Sequence, residues 1–139
     1  PVTGIASGLD PVKTSAELET VLGLTASTLN VEIEGAGLSN GSGSPMPLPT
    51  SFKLATNFAL TTFAPASPVP WTGKANKADG SVTGTFTLPA AGDVLAGKAA
   101  ASGVLLRGLS SDTAGAGLIR VPVQGKKGLF RTASMLIQR

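Results

Sequence analysis

Few side chains in this 139-residue sequence are equipped for chemistry, and their types exclude much at once. Histidine and cysteine do not occur. Ser–His–Asp and Cys–His nucleophilic sites are therefore excluded, together with disulfides and thiolate metal sites. Serine and lysine both occur, but never at Ser-x-x-Lys spacing. Eight carboxylates are available for acid–base work. Two of them, Glu32 and Glu34, alternate on a predicted strand and project to one face. That is the arrangement of an acid pair, or of half a Ca²⁺ site. It is also the solvated face of a strand whose other face is Leu29, Val31 and Ile33, and this second reading is preferred. No phosphate-binding glycine loop is present, and Gly35-Ala36-Gly37 and Gly115-Ala116-Gly117 are read as turn chemistry. The sequence implies no cofactor and no metal.

Two features remain as candidate binding elements. Trp71 is the single tryptophan and follows a proline-rich stretch. An exposed indole stacks on sugar rings, so Trp71 is the candidate binding residue for a polysaccharide; a lone tryptophan is more often a core or interface anchor. The second feature is basic. Lys98, Arg107, Arg120, Lys126, Lys127, Arg131 and Arg139 face only Asp112, which leaves the C-terminal segment at +6. Such a segment suits an anionic polymer, lipid headgroups or nucleic acid. Nucleic acid is the weakest of these, because single-strand platforms interleave aromatic rings and only Phe130 lies here.

Charge is polarised along the chain. Asp10, Glu17, Glu19, Glu32 and Glu34 against Lys13 leave residues 1–34 at −4. Ten Lys and Arg against Asp79, Asp93 and Asp112 leave residues 35–139 at +7. Charged residues make up only 14% of the chain, against roughly 25% in ordinary domains. Ser, Thr, Gly and backbone, or other copies of the chain, must therefore cover the surface. That composition fits exported, assembled proteins, and the expected location is extracellular or at the cell surface. No run approaches the roughly 20 apolar residues of a membrane-spanning helix. A first residue of Pro1 rather than Met leads to the expectation of a processed form or a fragment.

The elements that must hold these residues are mostly strands. Residues 10–24 contain the single helix candidate, with a strand or an extended arm as the alternative. Thr14-Ser15-Ala16-Glu17 has capping-box spacing, Leu18, Val21 and Leu22 form a thin apolar stripe, and Gly23 is a stop. From residue 28 the apolar period becomes two. Leu29, Val31 and Ile33 read as one strand, and Phe52 with Leu54 as another. Phe58 and Leu60 begin a third, and Trp71 to Ala75 form a fourth. Asp79-Gly80 closes a hairpin into Val82, Gly84, Phe86 and Leu88. Gly84 on that apolar face points to a bend or close backbone approach. Residues 102–107 and 118–123 read as strands, and Met135 with Ile137 mark the last. Gly35 to Pro49 reads as a long loop, Pro65, Pro68 and Pro70 break the chain, and Ser110 to Gly117 reads as a turn-rich loop. About eight strands at this spacing predict one antiparallel β-sandwich or small curled barrel spanning residues 1–139. Residues 1–27 are the arm or short helix and 28–139 the body.

Ala78-Asp79-Gly80-Ser81-Val82-Thr83-Gly84-Thr85-Phe86-Thr87-Leu88, then Gly103-Val104-Leu105-Leu106-Arg107-Gly108, follow an order seen elsewhere. Gly115-Ala116-Gly117-Leu118-Ile119-Arg120-Val121-Pro122 and Thr132-Ala133-Ser134-Met135-Leu136-Ile137 complete it. This half of the chain resembles a β-rich domain found, often repeated or C-terminal, in large secreted proteins of planctomycetes and verrucomicrobia. Leu118-Ile119 stand where that family often has an aromatic pair. The resemblance implies a curled all-β domain on secreted architecture and no catalytic residues.

The expected function is a non-enzymatic structural or assembly module of a secreted or cell-surface bacterial protein or extracellular filament. Its expected partners are other copies of itself or neighbouring domains, with an anionic polymer or polysaccharide as a further partner. An N-terminal segment added to a neighbour's open sheet edge would be one means of assembly. A carbohydrate-binding module and a viral coat or decoration protein are the alternatives.

Overall fold

The computed structural model describes residues 7–8, 11–39, 48–62, 69–89, 96–107, 112–123 and 125–139. Among these described residues, ten strands and one helix follow the order β1 (Ser7–Gly8), α1 (Ser15–Leu22), β2 (Thr28–Gly35), β3 (Leu38–Ser39), β4 (Ser51–Leu54), β5 (Ala59–Thr62), β6 (Trp71–Ala75), β7 (Ser81–Leu88), β8 (Gly97–Arg107), β9 (Thr113–Pro122) and β10 (Phe130–Gln138). Eight of the strands run β8-β7-β6-β5-β4-β2-β10-β9, every pair antiparallel, and β9 pairs back onto β8. The sheet is thus a closed barrel, and each of these eight strands has a neighbour on both sides. Closure leaves the barrel body no open edge to accept a donated strand. Ser7 and Gly8 pair with Arg107 and Leu106 of β8, so this part of the N-terminal segment is spent on its own barrel.

An eight-stranded barrel is just wide enough inside for side chains to fill. The alternation seen in the sequence does the filling. Leu29, Val31 and Ile33 of β2, Phe52 and Leu54 of β4, and Met135 and Ile137 of β10 are all buried. Strands β6 to β9 add Trp71, Val82, Phe86, Leu88, Leu105, Ile119 and Val121, with small residues among them. The register aligns Gly73, Gly84, Ala101, Ile119 and Ala133 in one row across β6 to β10. Four of the five are small and leave room for the large side chains packed around them, as close packing requires.

Helix α1 packs against the barrel through Leu18 and Leu22, while Val21 is left 42% exposed. The stripe of three expected from sequence is therefore a stripe of two. The ends are as the sequence signalled. The Glu17 N–H donates to Thr14 Oγ1 at 3.2 Å, the Lys13 N–H donates to the Glu17 carboxylate at 3.0 Å, and Gly23 adopts a left-handed φ of 70°. Arg139 fastens the helix to the barrel: its Nε donates to the Leu22 carbonyl, and its own carbonyl accepts from Asn30 Nδ2 at 3.1 Å.

Several expectations are corrected. Residues 113–117 belong to β9, not to a loop. Ala114 is the extra residue of a bulge there, since Ile137 and Gln138 face Gly115 and Thr113. Phe58 does not begin a strand. It sits half-buried at a φ of 66° in the turn before β5. The stretch from Gly35 to Pro49 contains β3, and residues 40–47 lie outside those described, as do Pro65 and Pro68. Strand β8 begins at Gly97, five residues before the sequence signal.

The link from α1 to β2 turns tightly at Ala26 and Ser27, both at left-handed φ (53° and 59°). The Thr28 N–H closes it on the Thr25 carbonyl at 3.1 Å. Non-glycine residues in this region are strained by about 1 kcal/mol or more. Ala26→Gly is therefore expected to stabilise the protein by about 0.5–1 kcal/mol, read as a higher urea midpoint at unchanged slope. An unchanged or lower midpoint would show that the turn carries no such strain.

Candidate interaction surface

Trp71 lies inside the barrel, 8% exposed. Phe52 stacks on it at 4.7 Å between centroids, and Phe86 lies tilted at 4.5 Å. Its Nε1–H donates to the Leu60 carbonyl at 3.0 Å. Gly73 and Gly84 make its berth, since a Cβ built on either would fall 2.1 and 2.0 Å from the six-membered ring. The candidate sugar platform is placed as an interior anchor. The close approach expected at Gly84 is that of a ring, not of a second backbone.

Glu32 and Glu34 project outward from β2, as their spacing required, with Leu136 and Ser134 of β10 beside them. Among the described residues no group of three or more carboxylates is placed to hold a metal ion. These two line a depression of about 480 Å³ with Ala116, Leu118, Ser134 and Leu136. A second depression, of about 680 Å³, has Thr72, Lys74, Thr83, Thr85 and Ala100 around the Gly73–Gly84 pair. A third, of about 490 Å³, runs beside α1 between Pro11, Val12, Val21 and Arg107.

The arrangement with most chemical content is at one end of the barrel. Lys98 starts β8, Arg120 lies near the end of β9 and Arg131 near the start of β10. Antiparallel succession brings these three together with Lys126 and Lys127 of the β9–β10 turn. That turn is built by Gly125 and Gly128, both at left-handed φ (78° and 79°), and closed by the Leu129 N–H donating to the Lys126 carbonyl at 3.1 Å. It holds Leu129 and Phe130 outward, 47% and 43% exposed. The Arg120 guanidinium lies over the Phe130 ring at 4.3 Å, a cation–π contact at the edge of the same patch. The basic excess was legible in the sequence; the exposure of Leu129 and Phe130 was not, because apolar residues beside a turn read as the start of a half-buried strand.

The chain matches no protein-family model, no curated protein and no solved structure.

At the opposite end, the β6–β7 hairpin is held by two side chains that fold back on their own backbone. Asn76 Oδ1 accepts from the Ala78 N–H at 2.8 Å, and Asp79 Oδ1 accepts from the Ser81 N–H at 2.9 Å. The bonds from Ser81, backbone first and hydroxyl second, hold the Asp79 carboxyl below its usual pKa. A lowered carboxyl pKa contributes stability that is present at neutral pH and lost as pH falls through the lowered value. Asp79 is exposed, so the contribution is small. NMR titration of the Asp79 carboxyl is expected to give a midpoint below that of an unstructured peptide. Ser81→Ala is expected to move it part of the way back. A midpoint equal to the peptide's would remove the bond from the account.

Proposed function

We propose that the chain is a non-enzymatic structural or assembly module of a secreted or cell-surface bacterial protein or extracellular filament. One observation carries this reading. The interior is filled by aliphatic and aromatic side chains, and the buried polar residues among those described are Ser15 and Ser51 alone. A closed wall around a filled core makes a rigid brick and leaves recognition to the outside. The outside is unusually poor in charge, with Thr72, Thr83, Thr85 and Thr87 along β6 and β7 and Ser102 beside them on β8. The resemblance of residues 71–139 to domains of large secreted bacterial proteins supports the same reading.

Assembly by a donated N-terminal strand is the weaker route, because Ser7–Gly8 already pairs with β8 and the barrel body is closed. Contact between barrel surfaces is the stronger one. Light scattering coupled to size exclusion, with negative-stain microscopy of the same fractions, tests the proposal. Regular filaments or closed oligomers are expected. A clean monomer at every concentration would remove self-assembly and leave a single unit of a longer surface protein.

A further inference from the structure

We infer that the β9–β10 end of the barrel docks on an anionic lipid surface, with Leu129 and Phe130 entering the headgroup region. This inference stands apart from the assembly reading: scattering tests that one, and vesicles test this one.

Four large hydrophobic residues are exposed among those described: Val21, Leu118, Leu129 and Phe130. Two of them, Leu129 and Phe130, are consecutive in sequence and sit where the β9–β10 turn enters β10. Exposure of this kind marks an interaction site when it is contiguous and rimmed by charge. The rim here is cationic. Lys126 and Lys127 are exposed in the turn, Arg120 caps Phe130, and Arg131 and Lys98 stand at the same end of β10 and β8. The nearest described carboxylate by register is Glu34 on β2, opposite Ser134 and so four residues along β10 from Phe130.

The pairing of apolar tip and basic collar selects the partner. A soluble anionic polymer would satisfy the lysines and leave Leu129 and Phe130 in water. Single-stranded nucleic acid asks for several stacking rings, and this patch offers one. An anionic bilayer satisfies both parts: apolar side chains enter the acyl boundary while lysines stay at the phosphates. Two left-handed glycines and the turn's own backbone bonds define its shape.

The test is co-sedimentation of the full chain with phosphatidylcholine vesicles, with and without phosphatidylglycerol. Binding is expected only to the phosphatidylglycerol vesicles, weakening as salt rises. Lys126→Ala with Lys127→Ala is expected to weaken it by about 25-fold. Leu129→Ser with Phe130→Ser is expected to weaken it by about 10-fold or more. Emission from the buried Trp71 reports that each variant is folded. Equal binding to neutral vesicles, no binding to anionic vesicles at low salt, or wild-type binding by either folded variant would overturn the inference. Two further results would also overturn it. Capture by dextran sulfate without vesicle binding, unaffected by Leu129→Ser with Phe130→Ser, would assign the collar to a polymer. A dimer lost in that variant, again without vesicle binding, would assign the tip to a second copy.

Discussion

Gly117→Ala is expected to cost about 4 kcal/mol or more, or to leave no folded protein at all. The reason lies in the pair that closes the barrel. Gly117 faces Gly103, and Gly115 faces Leu105, across β9 and β8. A Cβ on Gly117 would fall 2.5 Å from the Ser102 carbonyl oxygen and 2.9 Å from Gly103 Cα. On Gly115 it would fall 2.3 Å from the Val104 carbonyl oxygen, and on Gly103 2.6 Å from that of Ala116. These neighbours are backbone, and backbone inside a ladder cannot turn aside as a side chain does. The strands must part, and the last ladder opens. Two strand edges are then exposed, so aggregation is expected to accompany the loss of stability. Gly125→Ala is the comparison. Its Cβ would meet nothing within 4 Å, and only its left-handed φ of 78° resists, at about 1–2 kcal/mol. Urea denaturation of the two variants, with size exclusion for the aggregate, decides the matter. Equal costs at the two positions would mean that closure does not depend on the bare backbone of this seam.

The second large effect is at the tryptophan berth. Gly84→Ala in an unobstructed strand would stabilise the protein by about 0.5–1 kcal/mol, because alanine loses less backbone freedom on folding. Here the new methyl would lie 2.0 Å from the Trp71 ring. Overpacking of a closed core costs about 1–3 kcal/mol, occasionally more, so the net sign is destabilising. The ring has little room to yield, since Phe52 and Phe86 pack against it and its Nε1–H is fixed on the Leu60 carbonyl. Trp71→Leu alone is expected to cost about 3 kcal/mol through the cavity it leaves. The combination separates causes. In the Trp71→Leu background, Gly84→Ala is expected to cost nothing or to stabilise, giving a coupling of about 2 kcal/mol. Additive effects would show that Gly84 serves something other than the ring.

Most of the fold was legible where polar and apolar residues alternate with contrast. Thr83, Thr85 and Thr87 against Val82, Phe86 and Leu88 announce β7 without ambiguity, and Asp79-Gly80 announces the turn before it. The helix was legible from its caps more than from its stripe. The failures share a cause. Gly115-Ala116-Gly117 carries the residues of a turn, and the barrel uses them as strand because its closing pair admits no side chain there. The start of β8, Gly97 to Ala101, is mostly alanine, which gives no contrast between faces. Closure itself is a long-range property that no local window contains. At the surface, the basic excess of the C-terminal segment was visible in advance. Its gathering with Leu129 and Phe130 at one end depends on register.

The position of β10 has a temporal consequence. Residues 130–138 lie between β2 and β9, pairing Ala133 with Gly35, 98 residues earlier in the sequence. The barrel therefore cannot close while residues 28–122 alone have left the ribosome, and β2 and β9 each wait with a bare edge. Loops this long make for slow folding, on the order of milliseconds to seconds. During synthesis the barrel is thus held open until β10, the most C-terminal of its strands, arrives, and a chaperone has that interval in which to engage it.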